Sequence, residues 1–158
     1  MSDRQPMTLA GKAKLETELK NLIHVERPSV IKAIEEARGH GDISENADYD
    51  AAKDRQALIE GRIAEIQAKL ANAEVVDTST LKSVTIIFGA TVELQDLEND
   101  EKVKYTIVGE DESDVKSGKI SVYSPIARSL IGKKKGDVIE FKSPKGEKEY
   151  EVLNFYFK

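Results

Sequence analysis

The sequence predicts an α+β protein in two parts: an N-terminal antiparallel coiled-coil hairpin over residues 1–77, and a C-terminal β-sheet domain with one short helix over residues 78–158. Apolar residues recur at helical spacing in the first half, whereas short β-branched runs separated by turn residues fill the second. Charged residues make up 34% of the chain and Trp is absent. This composition favours long exposed helices over one large core.

The second helix of the hairpin has the clearest periodicity. Its core-type positions are separated by intervals that alternate between three and four, as in a coiled-coil seam. They are Tyr49, Ala52, Gln56, Ile59, Ile63, Ile66, Leu70 and Ala73. A less regular set precedes them: Leu15, Leu19, Leu22, Val30, Ile34 and Ala37. Two glycines in residues 39–42 permit a chain reversal. The helices should therefore pack antiparallel, the second running from about Asp42 to Val75 over roughly 45 to 50 Å.

Local signals shape the other elements. Thr8 is predicted to cap the first helix, and Pro28 to kink it because proline lacks an amide donor. A short helix is predicted to start at Ser124 and Pro125 and to end at Gly132. The polar segment 77–80 marks the domain boundary. The predicted strands beyond it are Val84–Phe88, Thr91–Leu94, Val103–Val108, Ile120–Val122, Val138–Phe141 and Tyr150–Phe157.

Composition also excludes several classes of protein. The chain has no cysteine, so disulfides and thiolate metal sites are excluded. The net charge is −5 and both halves are acidic, so any contact with DNA or RNA is local or made through another protein. The chain lacks a signal peptide pattern and any long apolar stretch, which predicts a cytoplasmic protein with no membrane span. We also expect a monomer.

The segment 41–49, at the reversal of the hairpin, admits two interpretations. Asp42 and Glu45 have the spacing of a capping-box variant, and Asp48 adds negative charge to the first helical turn. Alternatively, the carboxylates of Asp42 and Glu45 share a divalent cation with ligands from another molecule. Oxygen ligands suit Mg²⁺, which is seldom held by one small loop alone.

Three motifs, in order and spread over essentially the whole chain, resemble the Gre family of bacterial transcript cleavage factors, GreA type. They are Arg38-Gly39-His40-Gly41-Asp42-Ile43-Ser44-Glu45-Asn46-Ala47-Asp48-Tyr49, Ile87-Phe88-Gly89-Ala90-Thr91-Val92, and Ile120-Ser121-Val122-Tyr123-Ser124-Pro125-Ile126-Ala127-Arg128. The resemblance implies an FKBP-like C-terminal domain that docks at the rim of the RNA polymerase secondary channel. The hairpin would enter that channel, where the 3′ end of backtracked RNA is extruded.

The same resemblance assigns roles to the tip. Asp42 and Glu45 match the acids that help to hold an Mg²⁺ ion shared with the polymerase, and no cofactor is expected on the protein alone. Ser44 and Asn46 match supporting positions. The factor would have no nuclease activity of its own, and would stimulate RNA cleavage by the polymerase.

Two further surfaces are predicted. Arg38, Lys53 and Arg55 lie within a few helical turns of the tip, where they contact RNA phosphates or are solvated charges beside the seam; the resemblance supports Arg38 and Lys53. Ser124, Pro125 and Ile126 match the polymerase-docking segment of the family, although Tyr123 replaces a smaller polar residue.

Three rival functions remain open at this point. The first is a binding-only regulator that occupies the channel and inhibits the polymerase, against which the intact tip acids argue. The second is a prolyl isomerase or chaperone built on the FKBP-like domain, which needs an aromatic-rich pocket. The third is a coiled-coil adaptor, in which the tip charges would be incidental.

Overall fold

The computed structural model describes residues 4–39 and 46–158. The predicted fold class, a helical hairpin followed by a sheet domain with a short helix, is confirmed. The helices and strands, in chain order, are β1 (Gln5–Thr8), α1 (Leu9–Asn21), a π-helical turn (Leu22–Glu26), α2 (Arg27–Arg38), α3 (Ala47–Ala71), β2 (Ala73–Val76), β3 (Ala90–Asp96), β4 (Lys102–Val108), β5 (Lys119–Ser121), α4 (Pro125–Leu130), β6 (Val138–Ser143) and β7 (Gly146–Phe157).

One compact unit comprises Lys12–Ala73 and contains the hairpin. The buried seam joins α2 to α3, and its residues are Val30, Ile34, Ala37, Ala52, Ile59, Ile63 and Ile66. All seven occupy predicted seam positions. The predicted extent of the second helix was wrong, because α3 begins at Ala47 and ends at Ala71. Its 25 residues span about 37 Å.

Pro28 changes the helical hydrogen bonding without ending the helix. It lies in the first turn of α2, directly after the π-helical turn Leu22–Glu26. The Arg27 N–H bonds to the Leu22 carbonyl, five residues back. Because proline has no N–H to offer the carbonyl four residues earlier, the regular register is interrupted here. The helical path nevertheless continues to Arg38.

The second unit contains the five-stranded sheet, in the order β5-β4-β3-β7-β6. Neighbouring strands are antiparallel except β4 and β5, which run parallel. The core lies between one face of this sheet and α4. Its buried residues are Ile86, Ala90, Val92, Leu94, Ile107, Ile120, Ala127, Leu130, Ile139, Tyr150 and Val152.

The run Val84–Phe88 was predicted to be a strand and is not one. Its central residue, Ile86, is fully buried and hydrogen-bonds to the chain just after α4. The Ile86 N–H donates to the Lys133 carbonyl at 2.8 Å, and the Gly132 N–H donates to the Ile86 carbonyl at 2.8 Å. The apolar residues of the run Val84–Phe88 therefore belong to a segment that pairs with the chain after α4 and is not a strand of the sheet.

The two compact units of the structure divide the chain differently from the two predicted domains. The N-terminal segment up to Gly11 belongs to the unit formed by Glu74–Lys158, whereas the sequence assigned it to the hairpin. β1 pairs with β2 in a two-stranded sheet, and β2 was predicted as the end of the second helix. Thr8 caps α1 as predicted, since its hydroxyl oxygen accepts the Gly11 N–H at 3.0 Å.

Candidate functional site

Ion pairs along the hairpin show how its two helical arms are aligned. Arg62 donates to both carboxylate oxygens of Glu18 at 2.6 and 2.8 Å, and Arg55 donates to Glu26 at 2.8 Å. As the residue number on the first arm increases from Glu18 to Glu26, the residue number of the partner on α3 decreases, as expected for antiparallel packing. Arg62 also holds the pKa of Glu18 below its ordinary value by hydrogen bonding. The end of α2 and the start of α3 therefore meet at one end of the hairpin.

Asn46 lies at that junction and is 9% exposed. It is the N-cap of α3, because its side-chain oxygen Oδ1 accepts the Tyr49 backbone N–H at 3.1 Å. Its amide nitrogen Nδ2 donates to the Ala37 carbonyl, in the last turn of α2, at 2.5 Å. One side chain thus bonds to both helix ends.

The tip acids Asp42 and Glu45, together with Ser44, lie outside the described residues. The capping interpretation of Asp42 is nevertheless wrong for α3, because the cap of that helix is Asn46. Asp48 does lie in the first turn of α3, as predicted, where negative charge is favoured by the helix dipole. Within residues 4–39 and 46–158, no cluster of three or more His, Asp or Glu side chains is arranged to hold a metal ion.

The three predicted basic residues have different surroundings. The Arg38 guanidinium lies over the Tyr49 ring, with Cζ 5.9 Å from the ring centroid, and its side chain is exposed. Lys53 is also exposed and donates to Gln56 Oε1 at 3.1 Å. Arg55 is engaged in its ion pair with Glu26. Arg38 and Lys53 therefore present positive charge near the tip, whereas the positive charge of Arg55 is already paired with the Glu26 carboxylate.

The predicted docking segment starts α4. Ser124 caps this helix: its hydroxyl oxygen accepts the Ala127 N–H at 3.3 Å and its hydroxyl donates to the Ser121 carbonyl at 2.7 Å. Pro125 is exposed in the first turn. Ile126 packs against the sheet core. Of the three predicted docking residues, Pro125 is the most accessible.

Two contacts of the N-terminal segment escaped the sequence analysis. The Glu112 carboxylate accepts the backbone N–H groups of Thr8 at 3.0 Å and Gly109 at 3.2 Å, and also the Thr8 hydroxyl. The Tyr123 hydroxyl donates to Gln5. No local signal identifies such partners, because they lie more than a hundred residues apart.

Both parts of the chain match known families. A family model described as transcription elongation factor, N-terminal, matches residues 5–75, and one described as transcription elongation factor, GreA/GreB, C-term, matches residues 81–157. The hairpin and the sheet domain together thus define a transcription elongation factor. The chain belongs to the GreA/GreB family.

Individual proteins match the chain over nearly its whole length. The chain is 56% identical to a transcription elongation factor GreA of Hyphomonas neptunium, covering 99% of both sequences. It is 55% identical to a GreA of Thioalkalivibrio sulfidiphilus, covering 95% of this chain and 96% of that protein. Among solved structures, the GreA factor homolog 1 (Gfh1) protein of Thermus thermophilus is 27% identical to this chain. The match covers 97% of this chain and 99% of that chain, with a TM-score of 0.45. In the part of the chain that the structure describes, no helix is long and apolar enough to span a membrane.

Proposed function

We propose that this elongation factor inserts the tip of its hairpin into the secondary channel of bacterial RNA polymerase and stimulates cleavage of backtracked RNA by the polymerase's own active site. Arrested complexes would thereby resume elongation. The factor acts as a monomer, contacts the extruded RNA 3′ end and has no nuclease activity of its own. The observation that supports the proposal is the meeting of both helix ends at Asn46, since Asp42 and Glu45 lie in the sequence between these two ends.

The tip acids have suitable chemistry for this role. Asp42 and Glu45 would hold Mg²⁺ together with ligands of the polymerase, and carboxylate oxygens are ligands that this ion accepts. Bound there, the ion would stabilise charge on the oxygens of the scissile phosphodiester. Arg38 and Lys53 would attract the phosphates of the extruded RNA, a contribution that weakens with added salt.

The sheet domain would provide affinity for the polymerase through Pro125 and the rest of the α4 start. An isomerase activity is less well supported, because aromatic side chains that a substrate pocket needs pack against the core instead. These are Phe88, Tyr105, Phe141, Phe155 and Phe157. A binding-only inhibitory regulator would differ from the proposed cleavage factor only at the tip. This chain carries both tip acids, Asp42 and Glu45, which favours the cleavage factor.

A stalled, backtracked polymerase complex carrying 3′-labelled RNA tests the proposal. Adding the purified protein with Mg²⁺ should release short labelled fragments, and the freed complexes should resume synthesis when nucleotides are supplied. The protein incubated with the same RNA without polymerase should release none. Hydrolysis without polymerase, or inhibition without cleavage, would refute the proposed role.

A further inference from the structure

The five-stranded sheet has a second face, opposite the core, and lysines gather on one part of it. The residues of β4 that belong to the core or pack against it are Val103, Tyr105 and Ile107. Because side chains alternate along a strand, Lys102 and Lys104 lie on the second face. The β4–β5 register pairs Lys119 with Thr106, which places Lys119 on the same face. All three lysines are exposed.

The end of β7 brings a tyrosine and a fourth lysine to this group. Phe155 and Phe157 pack against the core, so Tyr156 and Lys158 lie on the second face. The Lys104 Nζ is 5.9 Å from the centroid of the Tyr156 ring, and the Lys158 Nζ is 5.7 Å from the same centroid. Each ammonium group is attracted by the ring quadrupole. We call Lys102, Lys104, Lys119 and Lys158, with Tyr156, the lysine face.

The charges of the lysine face are not neutralised by neighbouring acids. Over residues 4–39 and 46–158, none of its four lysines forms an ion pair with a carboxylate. Glu93 is opposite Lys104 in the β3–β4 register, yet the Lys104 ammonium lies over the Tyr156 ring. Glu140 and Glu149 pair with each other toward the other edge of the sheet. The local potential is therefore positive although the chain has a net charge of −5.

We propose that the lysine face binds the phosphate backbone of a single-stranded nucleic acid. Ammonium groups and the hydroxyls of Thr and Tyr are common donors to phosphate oxygens. The Thr106 hydroxyl lies on this face, 3.0 Å from that of Thr91. Lysines around an aromatic ring on an open sheet face are the combination that single strands bind, whereas an acidic peptide needs no ring. The lysine face includes neither the hairpin tip nor the start of α4, so this proposal is independent of the proposed function.

The test uses the full-length protein without polymerase and a short fluorescent single-stranded RNA, whose anisotropy reports binding. With four phosphate contacts, raising KCl from about 50 to about 200 mM should weaken binding about fiftyfold. In the double variant Lys104→Gln, Lys119→Gln, the same increase should weaken binding only about sevenfold, because two contacts remain. The variant should also bind less tightly than wild type at the lower salt concentration. Absence of measurable binding by wild type at low salt would overturn the proposal.

A second double variant provides the matched control. Lys134→Gln with Lys135→Gln removes the same charge from two exposed lysines that follow α4, and should leave the affinity and its salt dependence unchanged. Equal weakening by both double variants would show that net charge alone attracts the RNA, which would overturn the proposal. Glu93→Gln should tighten binding severalfold, because it removes the carboxylate opposite Lys104.

Two further measurements identify the site and the kind of strand. Addition of RNA to wild type should shift the backbone amide signals of β4, β5 and the end of β7. Shifts confined to the hairpin or to the segment after α4 would overturn the proposal without relying on any variant. Single-stranded DNA should bind like RNA, whereas a duplex of the same length should bind more weakly, because its bases cannot stack on Tyr156. A duplex that binds as tightly as the single strand would overturn the single-strand assignment.

Discussion

Glu112 lies against Gly11 in the first turn of α1, so closely that a Cβ atom on Gly11 would be 2.2 Å from the Glu112 Cδ atom. The carboxylate reaches this position to accept the backbone N–H groups of Thr8 and Gly109. Anions are favoured at a helix N-terminus, where unpaired N–H groups and the helix dipole both point toward them. The missing side chain of Gly11 thus makes room for a carboxylate from a distant loop.

Gly11→Ala should therefore destabilise the protein by about 1 to 2 kcal/mol, because displacing the carboxylate breaks its hydrogen bonds. In a Glu112→Ala background the same change should stabilise by up to about 1 kcal/mol, the helix propensity gained from alanine. Urea denaturation of the four proteins measures both effects. Gly61→Ala is the control, because Gly61 lies within α3 and a Cβ atom there would meet open space; it should stabilise in either background. The same sign for Gly11→Ala in both backgrounds would contradict the explanation.

Asp96 should make stability depend on pH. The Glu98 backbone N–H and the Lys148 ammonium hold the pKa of this carboxyl below its ordinary value, despite burial. A lowered folded-state pKa stabilises the fold above the unfolded value of about 3.9, and this stability is lost as the pH falls toward the folded pKa. Asp96→Asn should therefore weaken the protein near neutrality and flatten its loss of stability between about pH 5 and the acid limit.

Thermal unfolding across this pH range measures the difference between Asp96→Asn and wild type. Glu140→Gln, at an exposed site on β6, removes one carboxylate without disturbing Asp96. If the asparagine variant loses stability on acidification as steeply as the control, the low pKa of Asp96 does not stabilise the fold.

Neutralising either tip acid should separate catalysis from binding. Asp42→Asn and Glu45→Gln should each reduce stimulated cleavage by at least about tenfold, a typical cost of disturbing the shell of a metal site. Each variant should still displace labelled wild-type protein from the polymerase at unchanged concentration. Neither substitution should alter α3, whose cap is Asn46. Full cleavage by both variants would exclude the metal-ligand role.

Pro125→Glu should test the docking surface without disturbing the fold. Glutamate is acceptable in the first turn of a helix, where its charge complements the dipole, and Pro125 is exposed. The concentration needed for half-maximal cleavage should rise, while the plateau rate is retained. Pro144→Glu makes the same exchange at an exposed site in the turn between β6 and β7, and is the matched control for added negative charge. An unchanged half-maximal concentration would place the docking contact elsewhere.

Local patterns were sufficient to predict much of this fold. The three–four spacing identified the buried residues of α3, such as Ile59 and Ile66, because one helical face must be apolar to pack. Ser124 and Pro125 predicted the start of α4, since capping and the proline φ angle are properties of adjacent residues. The functional assignment came from motifs in order along the chain, and the family match to both halves supports it.

The sequence by itself determined most of the element types, the seam and the family motifs, all of which depend on near neighbours. Only the tertiary structure decided that Glu112 bonds to Thr8, 104 residues away, and that Ile86 packs beside the chain after α4 without joining the sheet. It also decided that Asn46 caps α3, where its Oδ1 accepts the Tyr49 N–H, while its Nδ2 donates to the Ala37 carbonyl on the other arm. A hydrogen bond between distant segments depends on how the chain folds back, and the local spacing of residues does not specify that path.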